Sequence, residues 1–308
     1  MSNNTILQEY YVFDVDENNC PDFTYKNILL LNALIKYNSS YSVASDENNP
    51  EHIDSYVGIL EKLKMDFFEF QEYDTLKQII PENEIDAIKK SDKVDEKGRE
   101  KDTLYKVVES IDRINSTHLV SEGPKHNGIH MGRYKTAQSI REIDNLKGLL
   151  LSGDTSVIKK IASASDSKYN FSFATKFCAY VSRHALNQDN YCIYDEVVQS
   201  ILPYFINKYI SDKKLLKKYC KVVNKNNAEK RYITSTVSRL KEREYTNNEF
   251  ENGYAEYKNI IDEIIKGIKI KHGITVTYEE FDHMLWYYFK GSKVKVQIAM
   301  NTLIDNIK

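Results

Sequence analysis

The sequence predicts an all-α fold. Apolar residues recur at helical spacing along most of the chain. Only one early stretch, residues 11–16 (YVFDVD), has the pattern of a strand. No internal repeat with a period of about 20–50 residues is visible. With 308 residues the chain is long enough to bury a substantial core, in one large domain or two.

The first half of the chain contains several predicted helices and one charged linker. Pro50 suits the first turn of a helix, where its missing N–H costs nothing. Residues 91–101 are dominated by charge and are interpreted as a solvated loop. The predicted helices are 25–37, 50–70, 75–80, 82–90 and 103–114.

The second half is also helical. Thr277 and Glu280 form a capping-box pattern at the start of one of its helices. We divide the chain into an N-terminal, mainly helical region, residues 1–135, and a helical domain, residues 136–308, that carries the candidate site. The predicted helices of this domain are 136–151, 157–164, 171–185, 195–209, 248–270, 277–289 and 293–307.

Composition and charge exclude several classes of protein. Hydrophobic residues make up 41% and charged residues 29%, without an apolar run long enough for a membrane span. The four cysteines lack paired spacing, which argues against a zinc site or a disulfide framework. The N-terminus lacks the pattern of a signal peptide, so we expect a cytoplasmic monomer with no membrane contact. The net charge of -2 means that any nucleic-acid contact must come from a local patch.

A single lysine interrupts an apolar, aromatic helix. Phe173, Phe177 and Val181 recur at helical spacing and predict a buried helix that contains Lys176. Lysine is almost never fully buried unless it is paired. Nineteen residues later, Asp195 precedes the next apolar stripe and is predicted to be its N-cap.

The chain between these two residues is long enough to bring them together. From Lys176 to a helix end near Ala185 the chain advances about 14 Å. The return to Asp195 spans up to roughly 30 Å when extended. Burial favours the neutral, nucleophilic amine, whereas a helix N-terminus favours an ionised carboxylate. The alternative from the residues alone is a lysine at a helix edge whose ammonium reaches water, and an aspartate that only caps a helix.

These residues carry a resemblance to a known family. Thr175-Lys176 in an apolar helix, followed by Ile193–Asp195 (IYD), resembles the helix-hairpin-helix DNA glycosylases. Glu280–Trp286 (EFDHMLW) is similar to bacterial relatives of the 8-oxoguanine glycosylase branch. The resemblance covers roughly residues 150–290. It implies a helix-hairpin-helix glycosylase-like helical fold with an additional N-terminal helical region.

The resemblance also implies a reaction and a partner. Asp195 is expected to stabilise positive charge on the deoxyribose as the base departs. Lys176 is expected to add at C1′ and form a Schiff base, after which β-elimination nicks the strand. The partner is double-stranded DNA with a damaged or modified base flipped out of the stack, and no metal or organic cofactor is needed. The residues expected to contact the substrate are Tyr180, Phe173, Phe177, His130 and Trp286.

Three positions depart from the family pattern. Residues 168–174 lack the glycines of the family hairpin, which puts its grip on phosphate in doubt. Tyr180 stands where the 8-oxoguanine enzymes have a cysteine, and Val197 stands where the family often has a histidine. The resemblance therefore does not predict which base is excised.

Two basic segments are the candidates for DNA contact. The segment 121–134 (SEGPKHNGIHMGRY) is rich in glycine and cationic side chains, and residues 208–243 have a strong local excess of Lys and Arg. Such segments can follow a phosphate backbone through counterion release. A plain surface loop and a solvated helix face are the alternative interpretations. The predicted DNA-binding residues are Lys125, His126, Arg133, Lys135, Arg183, Lys213, Lys214, Lys217 and Lys218.

The sequence is compatible with three functions. The main hypothesis is a bifunctional DNA glycosylase with AP lyase activity. The second is a catalytically inactive DNA-binding module of the same fold, favoured by the missing hairpin glycines and by Val197. The third is a helical protein-interaction factor whose charged helices bind partners.

Overall fold

The protein has an all-α fold, accompanied by two short antiparallel hairpins. A computed structural model describes residues 13–41, 103–115, 125–126, 129–164, 170–212, 220–224, 231–235, 253–289 and 293–307. The helices predicted over 50–70, 75–80 and 82–90 lie outside these residues. Within them, no helix combines the length and apolar character needed to cross a lipid bilayer.

The chain forms two compact units. One comprises residues 41–191, here called the central unit, and the other comprises residues 1–40 and 192–308, here called the terminal unit. The sequence analysis instead places its boundary near residue 135. Helix Thr103–Asn115 packs on Met131–Arg141, a helix that spans that boundary, and on Phe171–Leu186, a helix that follows it. These contacts place it in the same unit as the helix that carries Lys176.

The central unit is built around one buried helix. A turn breaks the helix predicted over 136–151, because Asn145 adopts the left-handed conformation with φ 52°. Residues 125–126 and 129–130 pair as the strands of the first hairpin, in which Lys125 lies opposite His130. The elements are α2 (Thr103–Asn115), β1 (Lys125–His126), β2 (Ile129–His130), α3 (Met131–Arg141), α4 (Leu146–Ser152), α5 (Ser156–Ala162) and α6 (Phe171–Leu186).

The terminal unit has an aromatic core. Phe23 stacks on Phe281, with ring centroids 5.6 Å apart, and Phe205 meets both rings edge-on. The strand predicted over 11–16 is, within residues 13–16, a single bridge between Val15 and Pro21. The elements are α1 (Tyr25–Tyr41), α7 (Glu196–Tyr209), β3 (Cys220–Asn224), β4 (Arg231–Ser235), α8 (Gly253–His272), α9 (Tyr278–Phe289) and α10 (Lys293–Ile307).

Helix α7 lies at the centre of the terminal unit and contacts α8, α9 and α10. Near its C-terminal end, the ammonium of Lys208 lies 2.5 Å from a carboxylate oxygen of Asp16 and 3.3 Å from one of Asp22. A pocket of about 340 Å³ opens beside this cluster and is lined in part by Tyr204 and Lys271. None of the predicted site residues lines it.

Candidate functional site

Lys176 lies inside the first half of α6. The helix begins at Asn170, whose side chain accepts a hydrogen bond from the backbone N–H of Phe173 at 3.0 Å. Lys176 is only 6% exposed, and its Nζ donates to Ser172 Oγ at 3.2 Å. The predicted buried helix and the predicted burial of its lysine are therefore both present in the structure.

Aromatic side chains on the same helix surround this position. Phe173 and Phe177 are fully buried, with ring centroids 6.0 Å apart, and Tyr180 is also buried. The rings and the lysine share one buried stretch of α6. Contact of these rings with a flipped base stays a prediction.

Asp195 is the N-cap of α7, as its sequence context predicts. Its backbone is extended, with φ -136° and ψ -175°, and its side chain accepts a hydrogen bond from the N–H of Val198 at 3.0 Å. A carboxylate at this position interacts favourably with the helix dipole. Lys176 belongs to the central unit and Asp195 to the terminal unit, and the prediction that they face one cavity stays a prediction.

The backbone of Cys192 and Ile193, three and two residues before Asp195, is held by three side chains that the sequence analysis did not single out for a role. The hydroxyl of Tyr254 donates to Cys192 O at 2.9 Å and accepts from Cys192 N at 3.0 Å. The hydroxyl of Tyr257 donates to Ile193 O at 2.5 Å. The carboxylate of Asp282 accepts from Ile193 N, at 3.1 and 3.3 Å to its two oxygens.

A local signal for this arrangement exists in the sequence. Asp282 sits among Phe281, Met284 and Leu285 on the apolar face of α9, and it is buried with them. A buried carboxylate needs a hydrogen-bond donor. The periodicity of α9 therefore indicates that Asp282 has an internal partner, although it does not indicate which one.

Both arginines among the predicted DNA-binding residues make internal contacts. Arg133 is only 4% exposed, and its guanidinium binds Asp112 at 2.8 Å and Glu109 at 3.1 Å. Arg183 is likewise buried, and it donates to Asp189 at 2.6 Å and to the carbonyl of Tyr191 at 3.1 Å. Both charges already have carboxylate partners inside the central unit.

The structure describes the other predicted site residues in less detail. Lys135 is exposed on α3, and Trp286 is half-buried with its ring edge-on to that of Tyr287 at 5.1 Å. Lys125, His126 and His130 lie on the first hairpin, where the structure describes backbone only. The remaining lysines, Lys213, Lys214, Lys217 and Lys218, lie outside the described residues.

The basic stretch 208–243 contains an element that its charge does not predict. Strands β3 and β4 pair antiparallel, from Cys220 opposite Ser235 to Asn224 opposite Arg231. This part of the segment is a hairpin instead of the helix face that the alternative interpretation assumed. Among the described residues, no group of three or more His, Cys, Asp or Glu side chains is placed to hold a metal ion.

Comparison with known proteins gives one match. Residues 43–185 are similar to a family model described as the HI_0787_N N-terminal domain. The match covers somewhat less than half of the chain, lies within the central unit, and includes Lys176 but not Asp195. No curated protein and no solved structure matches the chain.

Proposed function

We propose that this protein is a DNA glycosylase with AP lyase activity, which removes a damaged or modified base through a Schiff base on Lys176. The observation that carries the proposal is the lysine itself: an amine 6% exposed, within an aromatic helix, next to the hydroxyl of Ser172. Fully desolvating a lysine is costly, and lysines used as nucleophiles are placed in such surroundings. The resemblance around Lys176 and Asp195 assigns the nucleophile and the acid to these residues.

Lys176 supplies the electron pair. Its neutral Nζ attacks C1′ of the target nucleotide, and the glycosidic C1′–N bond breaks, with its electrons leaving on the base, which takes up a proton. Loss of a proton from Nζ and opening of the sugar ring give an imine between Nζ and C1′. Removal of a C2′ proton then breaks the C3′–O bond, which cuts the strand on the 3′ side.

Asp195 supplies a fixed negative charge. Positive charge develops on the sugar ring as the base departs, and a preorganised carboxylate lowers the energy of that state. Its hydrogen bond from Val198 N keeps the carboxylate at the helix N-terminus. Substitution by Asn should slow base release by about 100-fold or more, while binding of the DNA is retained.

The decisive experiment is borohydride trapping. The protein is incubated with duplex DNA that contains an abasic site or a panel of modified bases, and the imine is reduced to a stable adduct. Lys176→Met removes the amine but keeps an unbranched apolar side chain, and it should lower the adduct by about 100-fold or more. Lys160→Ala, which changes an exposed lysine on α5 of the same unit, is the matched control and should trap as the wild type does.

An adduct that persists in Lys176→Met assigns the chemistry to another amine. Mass spectrometry of the bases released from the same panel identifies the substrate. The design also separates enzymatic activity from binding, because DNA binding is measured on the same substrates.

The internal ion pairs of Arg133 and Arg183 favour one alternative function, a helical protein-interaction factor. Both arginines were predicted to bind phosphate, yet both are held by carboxylates of the central unit. This alternative predicts neither trapping nor binding of any DNA at low salt. A wild-type protein that binds DNA in a salt-sensitive way but never traps is the inactive DNA-binding module.

A further inference from the structure

Four hydrogen bonds hold the backbone at Cys192 and Ile193, which are separated from the N-cap of α7 by one residue, Tyr194. They come from two helices that are distant in sequence: Tyr254 and Tyr257 lie on α8, and Asp282 lies on α9. All three side chains are buried. A rotation of any of the three peptide units between residues 191 and 194 would leave a buried donor or acceptor without its partner, which is unfavourable in a water-free interior.

The phenol of Tyr257 is suited to a permanent donor role. Burial raises its pKa well above the usual value, and the negative charges near it, among them those of Asp282 and Asp195, act in the same direction. The hydroxyl therefore stays protonated over the whole working range of pH. The ring of Tyr194, the residue between Ile193 and Asp195, also packs edge-on to Tyr257 with centroids 5.0 Å apart.

We propose that Tyr254, Tyr257 and Asp282 are positioning residues for Asp195, and that they fix its carboxylate where positive charge develops on the sugar. The inference rests on the proposed function of Asp195. The backbone of Ile193 is two residues from the carboxylate, so a change in the 193–194 peptide moves the cap directly. Misplacement of a reacting group by about 1 Å can slow an enzyme by about 100-fold.

A role of this kind differs from a contribution to stability alone. The three side chains bind the backbone of Cys192 and Ile193, just before Asp195, whereas the first turn of α7 is held by its own cap, the hydrogen bond from Val198 N to Asp195. Nucleophilic attack by Lys176 does not depend on this segment in the same way, since Lys176 lies on α6. Loss of a hydrogen bond from Tyr254, Tyr257 or Asp282 should therefore slow base excision more than it slows imine formation at an abasic site, where no base has to depart.

The test compares Tyr257→Phe with Tyr288→Phe. Each variant loses one phenolic hydroxyl that donates to a backbone carbonyl of the terminal unit, that of Ile193 or that of Asn19 at 2.7 Å. The rate constant for base excision is measured under single-turnover conditions. It is divided by the amount of enzyme that borohydride traps on abasic DNA, and this normalisation corrects for any unfolded fraction. Tyr257→Phe should lower this normalised rate constant by about 10-fold or more, with the Kd for DNA within about 2-fold of wild type. Tyr288→Phe should leave the normalised rate constant and the Kd for DNA within about 2-fold of the wild-type values.

The possible failures are distinguishable. A wild-type protein that neither traps nor releases a base refutes the proposed function, and the positioning role falls with it. An active wild type whose rate is equal in Tyr257→Phe and Tyr288→Phe refutes the positioning role alone. If Tyr257→Phe does not fold, Tyr254→Phe replaces it, because it removes the hydroxyl that binds Cys192 N and Cys192 O and keeps the shape of the ring. That variant should show the same loss in rate, and a wild-type rate would overturn the inference.

Discussion

Gly267 allows α8 to cross α7 at very close range. A Cβ atom added to Gly267 would lie 2.1 Å from the carbonyl oxygen of Tyr209 and 2.8 Å from its carbonyl carbon. Both atoms belong to the backbone at the end of α7, so no side-chain rotation can relieve the contact. The substitution Gly267→Ala therefore has to push the two helices apart.

The expected magnitude follows from two opposing effects. Ala in place of Gly within a helix gains about 1 kcal/mol in helix propensity. Carbon and oxygen approach to about 3.3 Å without repulsion, so relief requires a local separation of about 1 Å. A gap of that size forfeits a quarter to a half of each dispersion contact at the crossing, and overpacking typically costs about 1–3 kcal/mol or more. We expect Gly267→Ala to destabilise the protein by about 2 kcal/mol.

Urea denaturation of the variant and a matched control measures this effect. In Gly148→Ala, the added Cβ would meet terminal atoms of the exposed Asn145 side chain, at 2.4 Å from its Oδ1. That side chain can rotate away, so this variant should be as stable as the wild type or up to about 1 kcal/mol more stable. Equal stability of the two variants would refute the inferred crossing of α7 and α8. Because Asp195 is the N-cap of α7, and Tyr254 and Tyr257 lie on α8, Gly267→Ala should also lower the rate of base excision.

Two further predictions concern buried ion pairs. Burial acts to raise the pKa of Asp16, but hydrogen bonds, first the one from Lys208, hold it below its ordinary value of 3.8. The stability that this lowering contributes is present above pH 3.8 and is lost as pH falls through the pKa of the folded state. Lys208→Met should therefore cost about 3 kcal/mol at pH 7 and progressively less below pH 3.8, as followed by urea titrations at several pH values. The control Lys266→Met, which removes an exposed ion pair, should change stability by less than about 0.5 kcal/mol at any pH. Arg133→Met leaves the buried carboxylate of Asp112 without this cation and should cost about 3 kcal/mol in urea denaturation, and a wild-type midpoint would show that the pair contributes nothing.

Local patterns in the sequence predicted a large part of the described helices. Helix α6 and its buried lysine follow from apolar residues at helical spacing, and the N-cap role of Asp195 follows from an aspartate directly before an apolar stripe. The capping box of Thr277 and Glu280 is also present, with the N–H of Thr277 donating to the Glu280 carboxylate at 2.9 Å. Each of these features involves residues within about one or two turns of each other, so each leaves a trace in the local sequence.

Other features depend on pairings that no local pattern encodes. The helix predicted over 136–151 is divided because Asn145 is left-handed, a conformation that its neighbours permit but do not require. The hairpin of β3 and β4 lies in a segment whose charge dominates its pattern. Arg133 and Arg183 are of a residue type that commonly binds phosphate, but their carboxylate partners are inside the protein.

The amino-acid sequence alone determined the all-α class, the burial of Lys176 in an aromatic helix, and the capping carboxylate of Asp195, because hydrophobic periodicity and capping act over a few residues. Only the tertiary structure decided what holds the backbone of Cys192 and Ile193 just before Asp195. Tyr254, Tyr257 and Asp282 lie between 62 and 89 positions from the backbone groups that they bind. Such contacts exist only once α8 and α9 have packed on α7, since a hydrogen bond between distant residues depends on the arrangement of whole helices and has no signature at either end.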